Sequence, residues 1–400
     1  MSWEKVKVSA ISEQIRGVSY KPSDLSDTAT DDHIPVLRAN NVTENGIKLD
    51  DLVYVNTKRI SKNQVLKSGD ILIVASSGSK AIVGRAISIE EDMDASFGAF
   101  CKIVRPNNKT DKRYLGYYFR SADYRRIISH LSVGANINNL RSDDINTLQI
   151  HLPPLRIQKQ IANILDKADA LRKKDRQLLQ KYDELAQAIF IDMFGDPVKN
   201  EKGWEVKKLN EICIEIIDCP HSTPIHTDSI TEYPCIRTSE MENGRIVWDS
   251  MKYLDASEYQ IRTKRLKPKP GDIVYAREGS FGEAIIVPPY KQFALGQRTM
   301  LFRPNSDICD NFFLWFQINS DFMYKQALRK TNGSTVGHIN VSDIKEFDVL
   351  FPDIRRQKEF SNAISILLKS INIKSEQIIL CDNLFQSLLQ KAFTGELIHD

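Results

Sequence analysis

The feature that most constrains this 400-residue sequence is an internal duplication with a period of about 200 residues. The stretch "LKSGDILIVASSGS" at 66–79 returns as "LKPKPGDIVYAREGS" at 266–280, and "FGAFCKIVRPNN" returns as "LGQRTMLFRPNS". The pairs "IPVLRANNVTENG" with "YPCIRTSEMENG" and "LPPLRIQKQI" with "FPDIRRQKEF" follow the same order, at offsets of 198 to 202 residues. This period is far longer than that of a common solenoid repeat, so the chain consists of two copies of one folding unit.

Each copy has a globular part and a helical part. Short β-rich segments separated by Gly, Asn and Ser turns, followed by one amphipathic helix, are typical of a mixed α/β domain. A proline motif then opens about 40 residues without Gly or Pro, which end at Gly195 and Gly395 and predict one long helix. We therefore predict an α+β fold in which a mixed α/β domain and a long helix occur twice. The predicted domains are 1–152 and 196–351, and the predicted helices are 153–195 and 352–400, the last with a C-terminal tail.

The two long helices carry the 3.5-residue period of a coiled coil. In the first helix the predicted seam is Ile157, Ile161, Ile164, Ala168, Leu171, Asp175, Leu178, Tyr182, Leu185 and Ile189. The same register in the second helix gives Phe360, Ala363, Leu367, Ser370, Lys374, Gln377, Cys381, Leu384 and Leu388. Asp175 and Lys374 would meet near the middle of an antiparallel pair with pseudo-two-fold symmetry, where opposite charges can fix register. Alternatively, both side chains reach solvent in unrelated bundles.

Composition excludes several classes of protein. No apolar run reaches the roughly 18 residues of a membrane helix, and the start of the chain lacks the apolar segment of a signal peptide, so we expect a cytoplasmic protein without a membrane partner. Six cysteines without a CxxC pair predict reduced thiols. Cys213, Cys219 and His221 match no standard zinc spacing, and we expect no metal. The formal net charge is only +3, so any nucleic-acid binding would depend on a local basic surface.

Two similar domains on a rigid spacer predict a reader of a bipartite DNA target. Loop residues that differ between the copies are the candidate DNA contacts, because Arg binds guanine, Asn and Gln bind adenine, and Ser, Thr and Lys reach phosphates or base edges. The candidates in the first domain are Arg38, Asn40, Asn41, Ser77, Lys80, Arg85, Asn136 and Asn139. Those in the second are Arg237, Ser239, Arg277, Ser280, Gln297, Arg298, Thr335 and His338. Each of these side chains could instead cap a turn or lie in a solvated loop. The basic run at 171–177, on the first long helix, could be a phosphate-facing stripe or a solvated flank of the helix.

Several motifs resemble the specificity subunit of type I restriction-modification systems. They are the helix starts "LPPLRIQKQIANILDKADAL" and "FPDIRRQKEF", the "LLQKAFTGEL" ending, and the repeated "GDI" strand with its "GS" loop. The resemblance implies two target recognition domains that each read half of an asymmetric, interrupted sequence in double-stranded DNA. It also implies long helices that set the spacing and dock two methylation subunits, and two restriction subunits that can join. S-adenosylmethionine, ATP and Mg²⁺ would then bind only to partner subunits, with no cofactor and no catalytic residue on this chain.

An enzyme and a protein-binding scaffold are the alternative classes of function for this chain. For an enzyme, "VPPY" at 287–290 has Val where an amino-methyltransferase needs Asn or Asp, and the phosphate-loop pattern is missing. The acid of "FPD" at 351–353 is absent from its duplicate "LPP", so a helix start explains both better than a nuclease site does. The remaining alternative is a coiled-coil scaffold or adaptor that binds proteins rather than DNA. Salt-dependent affinity for duplex DNA separates that scaffold from a reader.

Overall fold

The computed structural model describes residues 3–43, 46–131, 138–279, 281–289, 291–331 and 338–398. The chain forms two compact units. Unit 1 comprises Met1–Leu178 and Lys374–Asp400, and unit 2 comprises Leu179–Ile373. Each unit therefore contains one globular domain, one segment of the first long helix and one segment of the second.

The first half of the chain contains the elements of the first copy. Its strands are β1 (Lys5–Lys7), β2 (Ser12–Arg16), β3 (Leu25–Ser26), β4 (His33–Leu37), β5 (Val53–Asn56), β6 (Ile71–Val74), β7 (Ser76–Ser77), β8 (Ala86–Ser88), β9 (Ser96–Phe97), β10 (Cys101–Pro106), β11 (Asn138–Asn139) and β12 (Gln149–His151). Its helices are α1 (Val8–Ile11), α2 (Lys112–Tyr118), α3 (Ala122–Leu131), α4 (Ser142–Asn146) and the long α5 (Leu155–Phe194).

The second half repeats this order. Its strands are β13 (Val206–Lys208), β14 (Cys213–Asp218), β15 (Pro234–Ile236), β16 (Met241–Glu242), β17 (Arg245–Ile246), β18 (Lys252–Tyr253), β19 (Ile273–Ala276), β20 (Ala284–Ile286), β21 (Ala294–Leu295), β22 (Thr299–Pro304) and β23 (Asp348–Leu350). Its helices are α6 (Leu209–Ile212), α7 (Ala256–Arg262), α8 (Asn311–Ile318), α9 (Asp321–Lys330), α10 (Val341–Lys345) and the long α11 (Ile354–Thr394).

The same central sheet occurs in both units. In unit 1 it has the antiparallel order β2-β10-β6-β8, and a second sheet has the order β3-β5-β4-β9 with β4 and β9 parallel. In unit 2 the corresponding orders are β14-β22-β19-β20 and β18-β15-β21. Ile71 and Ile73 of β6 belong to one buried cluster, and Leu72 and Val74 belong to another. The central strand is therefore covered on both faces, which explains its unbroken apolar sequence.

The repeated Gly-Asp-Ile motif is part of the framework in both units. Gly69 has a φ of 92°, a conformation that favours glycine, and it leads into β6. The carboxylate of Asp70, which is 1% exposed, accepts hydrogen bonds from Nε and Nη2 of Arg105, both at 2.7 Å. Asp272 and Arg303 repeat this pair at 2.8 and 2.7 Å. The "GDI" and "RP" motifs thus recur together because their side chains join the two central strands.

A buried glutamine fixes the start of each long helix to its globular domain. The side-chain oxygen of Gln158 accepts a hydrogen bond from the Asp111 backbone N–H at 2.8 Å, and its Nε2 donates to the Pro153 carbonyl at 2.8 Å. Gln357 makes the matching bond to the Asp310 N–H at 2.9 Å. The direction in which each long helix leaves its domain is therefore set by specific hydrogen bonds.

Within unit 1, the first part of α5 packs against the last part of α11. The side chains of Ile161, Leu165, Phe385 and Leu389 belong to one buried cluster with the globular domain. The guanidinium of Arg172 lies over the Phe385 ring, 4.3 Å from its centroid. Because contacts nearer the start of α5 involve residues nearer the end of α11, the two segments run antiparallel.

Within unit 2, the last part of α5 packs against the first part of α11. Phe190 and Phe194 of α5 lie 5.5 and 5.6 Å from Phe360 of α11, measured between ring centroids. Phe313 and Phe316 of α8 complete the aromatic cluster, so the helix segments share one core with the globular domain. The predicted antiparallel association is confirmed within each unit.

The predicted seam is wrong at six of its nineteen positions, which are exposed, whereas others such as Ile157 and Asp175 are buried as predicted. Ile164, Leu171, Leu185 and Leu384 are exposed, and Ala363 and Gln377 are also on the surface. The inward positions lie one residue later, at Leu165, Arg172, Leu179, Ala186, Ile364, Ile371 and Phe385. Neighbouring apolar pairs, such as Ile164 with Leu165, fit a 3.5-residue period equally well. Packing against the globular domain selects the second member of each pair.

The charged seam positions are in direct contact inside unit 1. Lys374 Nζ lies 3.0 Å from Asp175 Oδ1, and the two side chains are 18% and 11% exposed. A second bond reaches the same carboxylate from Cys381 Sγ at 3.7 Å. The neighbouring basic side chains are also engaged, since Arg176 pairs with Asp382 at 2.9 Å. The basic run therefore belongs largely to the helix contacts of unit 1.

We predict that Asp175→Lys lowers the free energy of unfolding by about 3 kcal/mol, because it places two ammonium groups in a nearly buried contact. Asp175→Lys combined with Lys374→Asp should recover most of this loss. The midpoint of urea unfolding measures both effects. Lys174→Asp, an exposed charge reversal on the neighbouring residue, is the control and should cost less than about 0.5 kcal/mol. An unchanged midpoint for Asp175→Lys, with no gain in the double variant, would contradict a role in register.

We further predict that Asp70→Ala lowers the free energy of unfolding by about 3 kcal/mol, because it leaves the half-buried Arg105 guanidinium unpaired. Asp123→Ala removes an exposed ion pair with Arg126 in the same unit and should cost less than about 1 kcal/mol. Urea unfolding compares the two variants. Equal shifts in midpoint would show that the Gly-Asp-Ile carboxylate has no framework role.

Candidate nucleic-acid interface

Most of the predicted DNA-contacting residues lie on or beside four loops in each unit. In unit 1 these are loop A after β4, loop B after β6, loop C between β9 and β10, and loop D leading into α4. We define them as residues 38–41, 75–80, 98–100 and 138–141. The matching loops of unit 2 are A′, B′, C′ and D′, at residues 237–240, 277–279, 296–298 and 338–340.

Backbone hydrogen bonds tie the four loops of unit 1 together. The Gly98 N–H of loop C donates to the Leu37 carbonyl beside loop A at 2.9 Å. The Ala75 N–H of loop B donates to the Phe100 carbonyl of loop C at 2.8 Å, and the Leu140 N–H of loop D donates to the Ala75 carbonyl at 2.8 Å. Residues far apart in sequence are thus held on one connected surface.

Unit 2 repeats these bonds. The Gly296 N–H donates to the Ile236 carbonyl at 2.7 Å, the Arg277 N–H to the Arg298 carbonyl at 3.0 Å, and the Ile339 N–H to the Arg277 carbonyl at 3.2 Å. By this pattern of backbone bonds, Arg277 corresponds to Ala75. An alignment of "ASSGS" with "AREGS" would instead pair Arg277 with Ser76, so the structural correspondence is shifted by one residue. The frame of the loops is therefore duplicated while their side chains differ.

In loop A, two of the three predicted residues have exposed polar groups and one does not. Nη2 of Arg38 and Nδ2 of Asn40 both donate to Oδ2 of Asp51, at 2.8 and 2.9 Å. Asn41 is buried, and its oxygen accepts from the Arg38 N–H while its Nδ2 donates to the Lys48 and Asp50 carbonyls. Asn41 therefore holds the turn, contrary to its prediction as an exposed base contact.

The other predicted residues of unit 1 have varied surroundings. Ser77 is half-buried and its hydroxyl accepts from the Ser79 N–H at 3.2 Å. Lys80 and Asn139 are exposed. Nη1 of Arg85, which lies beside the loops rather than on them, donates to the Val42 carbonyl at 3.3 Å. The predicted contact Asn136 lies outside the described residues.

In loop A′, a buried acid organises the predicted residues. Glu240 is fully buried and accepts bonds from the backbone N–H and the Nε of Arg237, both at 3.0 Å. Its other oxygen bonds Nη2 of Arg237 and the Ser239 hydroxyl. Glu240 occupies the place that Asn41 takes in loop A, three residues after the arginine. The charged pair fixes the Arg237 guanidinium before any ligand binds.

Loops B′, C′ and D′ form an ionic cluster around Glu278. Its carboxylate oxygens lie 3.1 Å from Nη1 of Arg277, 3.3 Å from Nε of Arg298 and 2.8 Å from Nδ1 of His338. Arg277 also bonds Asp218 at 3.0 Å, and its side chain is only 9% exposed. Arg277 is therefore a buried, doubly paired group rather than the accessible DNA contact that the sequence predicts, whereas Arg298 and His338 remain accessible.

The remaining predictions for unit 2 concern three residues. Nε2 of Gln297 donates to the Thr223 hydroxyl at 3.1 Å, which attaches loop C′ to the segment after β14. The predicted contacts Ser280 and Thr335 lie outside the described residues.

Sequence reasoning missed the acidic partners of the arginines, namely Asp51, Asp218, Glu240 and Glu278. One signal was available, because a Glu three residues after Arg237 has the spacing of a capping box. The acids limit each guanidinium to a defined orientation, which suits selective hydrogen bonding to a base edge.

The described residues offer neither a metal cluster nor a membrane span. Within them no group of three or more His, Cys, Asp or Glu side chains could hold a metal ion. Burial raises the pKa of the Cys213 and Cys219 thiols, which disfavours the thiolate form that a metal requires. No helix in the described part of the chain is both long and apolar enough to cross a membrane.

Comparisons with known proteins agree with the duplicated architecture. The family described as "Type I restriction modification DNA specificity domain" matches twice, at residues 2–181 and 201–380. The EcoKI specificity subunit of Escherichia coli K12 is 29% identical over 418 residues, covering 99% of this chain and 89% of the relative. The StySPI specificity subunit of Salmonella potsdam is 27% identical, with the same coverage of both chains.

Solved structures share the fold at low sequence identity. The type I S subunit from M. genitalium is 12% identical, with a TM-score of 0.58 over 98% of this chain and 96% of that one. A chain from a study of assembly and conformational transition in the type I system is 14% identical, with a TM-score of 0.51 over 99% and 98%. With two family matches that together span most of its length, the chain belongs to the DNA specificity subunits of type I restriction-modification systems.

Proposed function

We propose that the chain reads a bipartite sequence in double-stranded DNA, with unit 1 reading one half-site and unit 2 reading the other. The chain would supply specificity without catalysis. Methylation of adenine N6 with S-adenosylmethionine, and restriction with ATP and Mg²⁺, would belong to two methylation subunits and to restriction subunits that join them. A cytoplasmic location, with access to the chromosome, is part of this proposal.

The observation that carries the proposal is the duplicated loop frame with unlike side chains. The same three backbone bonds connect the loops in both units. Among the predicted contacts, the accessible groups of unit 1 include Arg38, Asn40, Lys80 and Asn139, whereas those of unit 2 include Arg237, Arg298 and His338. Arg favours guanine, and Asn favours adenine, so one frame would read two different half-sites.

The second part of the proposal concerns the long helices. Each unit contains one segment of α5 and one segment of α11. The length of these helices would therefore set the distance between the two readers. A helix rises about 1.5 Å per residue, so helix length translates directly into spacing along DNA.

The exposed apolar residues of these helices are the proposed docking sites of the methylation subunits. On α5, Ile164, Leu171 and Leu185 are exposed at multiples of seven residues. On α11, Ile366, Ile373 and Leu380 repeat the same spacing. A seven-residue repeat places side chains along one line of a helix, which suits packing against a partner helix. The duplication would provide two such sites for two identical subunits.

Co-expression with the methylation subunit, followed by sequencing of modified adenines, tests this function. We predict an asymmetric, interrupted motif with one methylated adenine in each half. Lys80→Ala should change the preference in one half only, and Arg298→Ala in the other half only. The two variants are each other's control, because each leaves the loops of the other unit intact.

Two results would contradict the proposal. The first is a stable complex that methylates no adenine. The second is an affinity for duplex DNA that does not fall as salt rises, since phosphate contacts release counterions and a protein-binding scaffold does not.

A further inference from the structure

Loop C presents an aromatic side chain that the predicted contacts did not include. The loop is a tight turn closed by a hydrogen bond from the Cys101 N–H to the Gly98 carbonyl at 2.8 Å. Phe97 and Cys101, on either side of the turn, are buried, whereas Phe100 is 65% exposed. One exposed apolar side chain is ordinary on a protein surface, so exposure alone assigns no role to Phe100.

The backbone of Phe100 is held in a defined position among the four loops. Its carbonyl accepts from the N–H groups of both Ala75 and Ser76, at 2.8 and 3.0 Å, so its backbone is fixed against loop B. The duplicate of Phe100 is Arg298, which is also exposed, at 58% for its side chain, and whose carbonyl accepts from Arg277. Equivalent tips of the two units thus carry a phenyl ring in one case and a guanidinium in the other.

We propose that Phe100 determines specificity in unit 1 by packing against the 5-methyl group of a thymine in the major groove. A phenyl ring has no hydrogen-bond donor or acceptor for a base edge, and the thymine methyl is the apolar group that the major groove displays. Arg298 at the equivalent tip suits guanine instead. The inference rests on the proposed function and adds to it the kind of base read by loop C.

Uracil substitution tests this contact directly, because uracil differs from thymine only by the missing methyl group. The complex with the methylation subunit is assayed on duplexes of the mapped target in which each thymine of the half-site read by unit 1 is replaced in turn. For the wild type, one replacement should slow methylation about fourfold, the effect of burying one methyl-sized group. Phe100→Ala should be insensitive to that replacement, and Phe100→Leu should keep part of the sensitivity.

Ile214→Ala is the matched control, since Ile214 is 61% exposed and lies on a strand of unit 2. It should retain the full sensitivity to uracil. The inference is overturned if no replacement slows the wild type, or if Phe100→Ala remains as sensitive as the wild type. It is equally overturned if Phe100→Ala weakens association with the methylation subunit and leaves thymine sensitivity unchanged, because Phe100 would then contact protein. A complex that methylates no bipartite sequence would overturn the proposed function together with this inference.

Discussion

The sharing of the two long helices between the units is the constraint on which the rest of the structure depends. Phe385 and Leu389, from the end of the chain, complete the core of unit 1, and Phe190 and Phe194, from the middle of the chain, complete the core of unit 2. Neither core is complete without residues from both copies of the duplication. Removing one copy would expose apolar surface on the other, so each copy contributes to the buried core of the other.

The framework residues recur in the two copies, whereas the residues at the loop tips differ. The residues that recur in both copies, such as Asp70 with Arg105 and the buried Gln158, make hydrogen bonds inside each unit. The residues that differ, including Phe100 and Arg298, lie at the tips of loops held by identical backbone bonds. A rigid frame lets tip residues change without loss of the fold, and this suits a protein whose target sequence is set by a few side chains.

The duplication, the long helices and the α+β class could be predicted from the sequence because they depend on long patterns of residue type. Part of the α5 seam could not be predicted, since Ile164 and Leu165 are both apolar and only tertiary contacts choose between them. Asn41 and Arg277 were expected on the surface because polar side chains in loops usually lie there. Their burial depends on partners such as Asp218, which is distant in sequence from Arg277 and joins it only after folding.

In the proposed function, the length of the helix pair sets the distance between two independent readers. The most direct test of this spacing adds one heptad to each long helix, after Leu178 and after Ile373, the positions at which the two units divide. Seven residues preserve the coiled-coil period and add about 10 Å of helix. Sequencing of modified adenines should then return the same two half-sites, with a gap longer by as many as about three base pairs. An unchanged gap, or a change in either half-site, would contradict the account.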